Sequence, residues 1–282
     1  MRLKRAKLIG CFTFIFLTTF TYAQAEKKRE SISKTPFVIG ETVKIDSEVL
    51  NEERLLNIYL PHGYDANADK KYPVIYLLDG SVDEDFIHVA GLVQFGSFSW
   101  INMIPETIVV GIANVDRKRD FTYPSKNQRD RTEFPTTGGA QKFSDFIQNE
   151  LLQFVDSEYR TNTEKTIIGQ SLGGLLATEF LFRTPQLFDN YIIVSPSLWW
   201  DNESLLTKNL DPKLAPKSIY VAVGKEGEVM ERVANELHTK LNNLNLPNTQ
   251  LFYKYLEEQD HGDALHLAVY DAFEKMFRQK KE

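Results

Sequence analysis

The pentapeptide Gly169-Gln170-Ser171-Leu172-Gly173 has the residue types and spacing of an activated serine nucleophile. It directly follows the β-rich run Thr166-Ile167-Ile168 and directly precedes an apolar helical pattern, Leu175, Leu176, Phe180, Leu181 and Phe182. On a sharp strand-to-helix turn the serine hydroxyl projects above the sheet edge, and small residues two before and two after it prevent clashes. The start of the helix aims its amides at the same spot, which favours an anionic intermediate.

A serine hydroxyl is weakly nucleophilic until a base takes its proton. Where successive strands deliver the partners of such a turn, the acid and then the histidine follow the serine in the chain. Of the five histidines, His62 and His88 precede Ser171, and His238 falls in the middle of a helical stripe, where a solvent-facing position is expected. His261 follows the last predicted strand in the polar stretch Glu257-Glu258-Gln259-Asp260-His261-Gly262 and is the expected base; His266, at the start of the final helix, is the alternative. The acid belongs after the strand ending at Val223, where Glu226 and Glu228 both lie; Glu226 is preferred, with Asp260 and Asp201 as outside candidates. Its task is to orient the imidazole and stabilise the imidazolium.

An oxyanion hole needs two backbone amides aimed at the developing charge. Leu172 N–H, next after the nucleophile, is one; Ser81 N–H in the turn Asp79-Gly80-Ser81 is the other expected donor. Asp79, Asp83 and Asp85 are spaced like calcium ligands, but the loop lacks glycine at position six and has Ala90 at position twelve, so no metal site is expected.

Short apolar runs alternate with helix-period segments along the chain. Phe37-Val38-Ile39 through Val43-Lys44-Ile45, and Leu55 to Leu60, read as two early antiparallel strands. Pro73 to Leu78, Thr107 to Ile112, Thr166 to Ile168, Tyr191 to Val194 and Ile219 to Val223 have no polar alternation, as strands buried on both faces should. Leu251-Phe252-Tyr253 completes the series. Between them, Phe143 to Phe154, Val233 to Leu244 and Leu267 to Phe277 carry apolar residues three and four apart. This alternation predicts a mostly parallel central sheet with helices on both faces, in a single domain over 37–282. Arg117 to Gly139 is the longest irregular stretch, a length more often functional than not.

Residues 1–25 read as a signal peptide: Arg2, Lys4, Arg5 and Lys7, then an apolar run from Leu8 to Tyr22, then Ala23-Gln24-Ala25 at the cleavage site. The run of about 15 residues is shorter than the ~20 of a membrane span; a leader kept as an anchor is the alternative. Cys11 precedes the apolar stretch rather than following it, which argues against lipidation. It is the only cysteine, so neither disulfides nor a thiol nucleophile are expected in the mature protein. A periplasmic or secreted protein is expected, with a flexible lead-in over 26–36. The net charge of −6 becomes about −10 without the leader's basic residues, which argues against nucleic acid as a general partner.

Taken together, these segments resemble the esterase D-like branch of the α/β-hydrolases, which includes enterochelin-type siderophore esterases. The matching stretches are Tyr76-Leu77-Leu78-Asp79-Gly80, Arg119-Asp120-Phe121-Thr122, Gly169 to Gly174, Ser195-Pro196-Ser197-Leu198-Trp199-Trp200, Gly224-Lys225-Glu226-Gly227 and Asp260-His261, in the family's order. Gly262-Asp263 departs from the family's pattern after the histidine. The resemblance implies the α/β-hydrolase fold and a Ser–His–acid esterase without metal or organic cofactor; some relatives work with a weakly placed or absent acid. Its partner would be a small-molecule ester.

For that substrate, Trp199 and Trp200 suit the wall of an acyl or aryl pocket. Arg119, within a basic cluster of Arg117, Lys118, Arg119, Arg129 and Arg131, suits an anionic substrate such as a ferric catecholate siderophore. Release of acetyl or feruloyl groups from polysaccharide, acyl transfer, and ligand capture without catalysis are the competing functions.

Overall fold

In the computed structural model, eight strands form one sheet in the order β1-β2-β4-β3-β5-β6-β7-β8. The described residues are 33–278. The chain divides into two units, Met1–Phe37 and Val38–Glu282, and the sheet with its helices lies in the second. The leader expected over 1–25 and most of the lead-in over 26–36 lie outside the described residues.

The strands are β1 Glu41–Ser47, β2 Glu52–Tyr59, β3 Tyr72–Leu77, β4 Ile108–Ile112, β5 Thr161–Gln170, β6 Asn190–Val194, β7 Ser218–Gly224 and β8 Gln250–Leu256. β1 pairs antiparallel with β2, and β2 antiparallel with β4; every other neighbouring pair is parallel. The mostly parallel sheet read from the apolar runs is thus present. β4, β6 and β7 are buried along their whole length because helices cover both faces. Phe37-Val38-Ile39 stays outside β1 and is exposed.

The helices are α1 Phe86–Gly96, α2 Arg117–Phe121, α3 Gln128–Glu133, α4 Ala140–Phe146, α5 Leu152–Glu158, α6 Leu172–Arg183, α7 Trp200–Glu203, α8 Glu228–Asn243 and α9 Ala264–Met276. A π-helical turn, Ile147–Leu151, joins α4 to α5 and keeps Phe143, Phe146, Ile147 and Leu151 together in the core. One apolar cluster includes α4 to α6 and α8; the other is built around α1 and α9. The stretch read as one irregular loop contains α2 and α3, each too short to show a helical period.

Beside the sheet's first strands lies a buried ion cluster. Arg54, wholly enclosed, pairs through Nη2 with Asp120 and, at 2.7 Å, with Glu52. Its guanidinium also lies over the Phe143 ring, 5.0 Å from the centroid.

Candidate active site

Ser171 stands between β5 and α6 with φ 59° and ψ −119°, a conformation that a non-glycine residue holds only where its surroundings over-determine it. Three bonds do so here. Ser171 N–H donates to Val194 O (3.1 Å), and its carbonyl accepts from Leu175 N–H (2.9 Å) and Ser197 N–H (3.0 Å). Gly169 is required beneath the turn, since a Cβ there would lie 2.4 Å from Gly173 O. Leu172 N–H belongs to the first turn of α6, where amides lack an intrahelical acceptor.

The chain crosses from β3 through Asp79, at φ 56°, into the turn holding Ser81. Leu78 N–H donates to Ile168 O (3.0 Å) and Gly80 N–H to Ile112 O (3.0 Å), which sets this turn beside that of Ser171. Gly80 packs so closely on β4 that a Cβ would lie 2.3 Å from Gly111 Cα. Ser81 N–H points to Glu84 Oε2 at 3.4 Å, a long contact, and the same carboxylate accepts from Asn114 Nδ2–H at 3.2 Å.

An open cleft of about 630 Å³ brings Ser171, Glu226 and His261 to one surface, with Ser197, Trp199 and Met230 among its other walls. Ser171 Oγ lies 3.4 Å from Ser197 Oγ. His261 Nδ1 is 2.5 Å from Glu226 Oε2. The other carboxylate oxygen accepts from Ser195 Oγ–H and, at 2.9 Å, from Gly224 N–H. Ser195 is buried, with φ 44°, and is held by its N–H to Ala222 O at 2.7 Å. The histidine loop is tied to the serine turn by Gln170 Nε2–H, which donates to His261 O at 2.6 Å.

Burial pushes Glu226 upward, but the bonds from His261, Ser195 and Gly224 together hold it below the usual carboxylate range. The hydrogen bond to Glu226 raises His261 above its ordinary value against the opposing effect of burial. The acid is thus kept ionised, and the imidazole is made a stronger base.

None of the other candidates makes the contact to His261 Nδ1 that Glu226 makes, although Asp260 also lines the cleft. Glu228 starts α8 and is exposed. Asp260 Oδ1 accepts from Gly262 N–H (2.7 Å), and Asp201 Oδ1 from Lys126 N–H (2.5 Å). His266 packs edge-on against His88, ring centroids 3.9 Å apart. His238 is half-buried and stacks on Tyr253 rather than facing solvent.

Of the expected substrate-binding residues, Trp199 lines the cleft and the other two do not. Trp200 is fully buried, with Nε1–H donating to Tyr123 O at 2.9 Å. Arg119 is taken up by Glu52 (2.6 Å) and Asp120 (2.7 Å). Arg117 instead reaches the serine turn. Its Nε–H and Nη2–H grip the Asp79 carboxylate at 2.6 and 2.8 Å, and Nη2–H also approaches Gln170 O at 3.3 Å. Ser195, Gln170 and Arg117 lie within motifs legible in the sequence, but no spacing rule marked them as supports of the site.

An esterase family model matches residues 47–278. The ferri-bacillibactin esterase BesA of Bacillus subtilis is 32% identical over 170 residues, covering 56% of this chain and 59% of its own length. A siderophore triacetylfusarinine C esterase of Aspergillus fumigatus is 36% identical over 110 residues, 36% of this chain and 37% of its own. The chain therefore aligns with less than two thirds of either relative. Among solved structures, the BES protein from Bacillus cereus superposes with a TM-score of 0.77 at 28% identity, covering 89% of this chain and all of that one. An IroE-like serine hydrolase from Shewanella oneidensis gives 0.73 at 30% identity, covering 84% and 80%. With its strained serine turn, its strand order and a family match across most of its length, the chain belongs to the esterase family of α/β-hydrolase-like proteins.

Proposed function

We propose that the chain is an exported serine esterase that cleaves a siderophore ester through an acyl-enzyme. The observation that carries the mechanism is the contact between His261 Nδ1 and Glu226 Oε2 on the cleft that also exposes Ser171. With Nδ1–H held by the carboxylate, Nε2 is the lone-pair nitrogen and serves as the base. His261 Nε2 accepts the Ser171 hydroxyl proton as Oγ attacks the ester carbonyl. The carbonyl oxygen becomes an oxyanion facing Leu172 N–H and Ser81 N–H. Its collapse expels the alcohol, which takes the proton from His261 and leaves an acyl-serine. Water then attacks the acyl carbon, giving its proton to His261, and the second collapse returns the proton to Ser171 Oγ and frees the acid.

The relatives named as siderophore esterases support the substrate class, and Trp199 at the cleft supplies an aromatic surface for a catechol or aryl acyl group. Export rests on the basic, apolar and small-residue segments of 1–25. Among the described residues no helix is long and apolar enough to cross a membrane. The test is hydrolysis of aryl esters of varied acyl length and of a ferric tris-catecholate lactone by wild type and Ser171→Ala. Cleavage by wild type, lost in the variant, is expected. Absence of turnover on every ester would contradict the activity, and turnover indifferent to Ser171→Ala would contradict the mechanism.

A further inference from the structure

The segment Ser195-Pro196-Ser197 leaves the end of β6 with one serine turned to each side of the site. Ser195 Oγ–H donates to Glu226 Oε1 on the acid side. Two residues on, Ser197 Oγ faces Ser171 Oγ at 3.4 Å. Ser197 is buried by its neighbours yet lines the catalytic cleft. Among the described residues, its hydroxyl has no other hydrogen-bond partner.

The main chain fixes where that hydroxyl stands. Ser197 N–H donates to Ser171 O (3.0 Å), and Ser197 O accepts from Trp200 N–H (3.2 Å). Behind it, a Cβ on Gly174 would lie 2.9 Å from Val194 O and 3.0 Å from Pro196 Cα. Glycine at 174 therefore lets the segment sit close against α6. These main-chain bonds would survive loss of the hydroxyl itself.

The direction of the contact follows from the chemistry. Ser171 has a single hydroxyl proton, and in the reaction it goes to His261. Ser197 Oγ–H must then be the donor and Ser171 Oγ the acceptor. At 3.4 Å the contact is long for two neutral hydroxyls. A hydrogen bond shortens and strengthens when its acceptor carries charge, and catalytic contacts that are long at rest tighten in the transition state. Charge develops on Ser171 Oγ as its proton leaves during attack, and again when the acyl C–Oγ bond breaks in deacylation. A bond that is strong only at those moments stabilises the transition states and not the bound substrate.

We propose that Ser197 is a further catalytic residue, its Oγ–H donating to Ser171 Oγ as that oxygen gains charge in both half-reactions. The inference rests on the ester-hydrolase reading. Ser197 keeps its hydrogen throughout, and His261 alone takes and returns the Ser171 proton. Ser197→Ala removes the hydroxyl and keeps the main-chain bonds. With a 4-nitrophenyl ester, release of 4-nitrophenol in a single turnover reports acylation, and decay of the acyl-enzyme by mass spectrometry reports deacylation. Both rate constants are expected to fall about thirtyfold in Ser197→Ala, within the range for a hydrogen bond to a charged group. The dissociation constant of the ester should change by less than about twofold. Ser197→Thr, which keeps the hydroxyl, should recover most of the loss, with thermal melting checking that both variants are folded. Labelling of Ser171 by a fluorophosphonate makes the same comparison without an ester substrate, and should slow about thirtyfold in Ser197→Ala. Wild-type rates in Ser197→Ala would overturn the proposal, as would a loss confined to ester binding or an equal loss in folded Ser197→Thr. Failure of wild type to turn over any ester bears on the esterase reading, while the labelling rates still decide the role of Ser197.

Discussion

Glu226 and His261 meet at 2.5 Å although 35 residues separate them, because parallel β7 and β8 end side by side and deliver the two loops to one edge of the sheet. Glu228, two residues further on, begins α8 and lies outside the contact. The two glutamates should therefore behave differently. Glu226→Gln is expected to lower kcat by 10³-fold or more, on the order of the loss seen when a triad acid is made neutral. Glu228→Gln, removing only an exposed charge from a helix start, should change kcat by less than about twofold. Steady-state kinetics on an aryl ester compare them directly.

The same contact sets a pH profile. A base must be neutral to accept the serine proton, and Glu226 raises the His261 pKa above the ordinary 6.5. The acid limb of kcat/KM should accordingly fall above 6.5 in wild type. In Glu226→Gln the residual activity should show that limb moved to lower pH, because the charge that stabilised the imidazolium is gone. A limb at the same pH in both proteins would separate it from His261.

Glu179 on α6 is buried, with Oε1 paired to Arg183 and Oε2 without a hydrogen-bond partner among the described residues, and burial raises its pKa to about 7. The folded state then binds a proton more tightly than the unfolded chain, so stability is lost as pH rises from the ordinary 4.5 through about 7. Glu179→Gln removes this loss. It should melt above wild type at about pH 8, and the advantage should shrink steadily as the pH falls. Melting curves across that range would contradict the assignment if the difference stayed constant.

The buried ion cluster should be the opposite of a surface pair. Asp120→Asn leaves Arg54 enclosed with part of its compensation missing, and is expected to cost about 3 kcal/mol of unfolding free energy. Lys44→Ala breaks an exposed pair with Glu53 at 2.9 Å and should cost below about 0.5 kcal/mol. Urea titration of both variants measures the contrast.

Much of this arrangement is legible in the sequence, for identifiable reasons. The runs Pro73 to Leu78, Tyr191 to Val194 and Ile219 to Val223 announce themselves because strands covered on both faces admit almost no polar residue. Ser171 is legible because its strained turn demands glycine at 169 and leaves little room at 173, where a Cβ would lie 3.3 Å from Asp79 Oδ2. Choices between close neighbours are harder, because they depend on the local path of the backbone. Trp199 lines the cleft while Trp200 turns inward to Tyr123 O. Arg117 grips Asp79 while Arg119, two residues later on the short α2, turns to Glu52 and Asp120. His238 lies on a helix with a clear apolar stripe, yet the Tyr253 ring that covers it comes from β8. No periodicity within α8 could show a partner supplied by another element.

Labelling with a fluorophosphonate ester, followed by peptide mass spectrometry, tests the nucleophile most directly. A single phosphonyl adduct on the peptide containing Ser171 is predicted, formed at the rate at which esterase activity is lost and absent from folded Ser171→Ala. Activity lost with the adduct on another residue, or an equally labelled Ser171→Ala, would contradict the account.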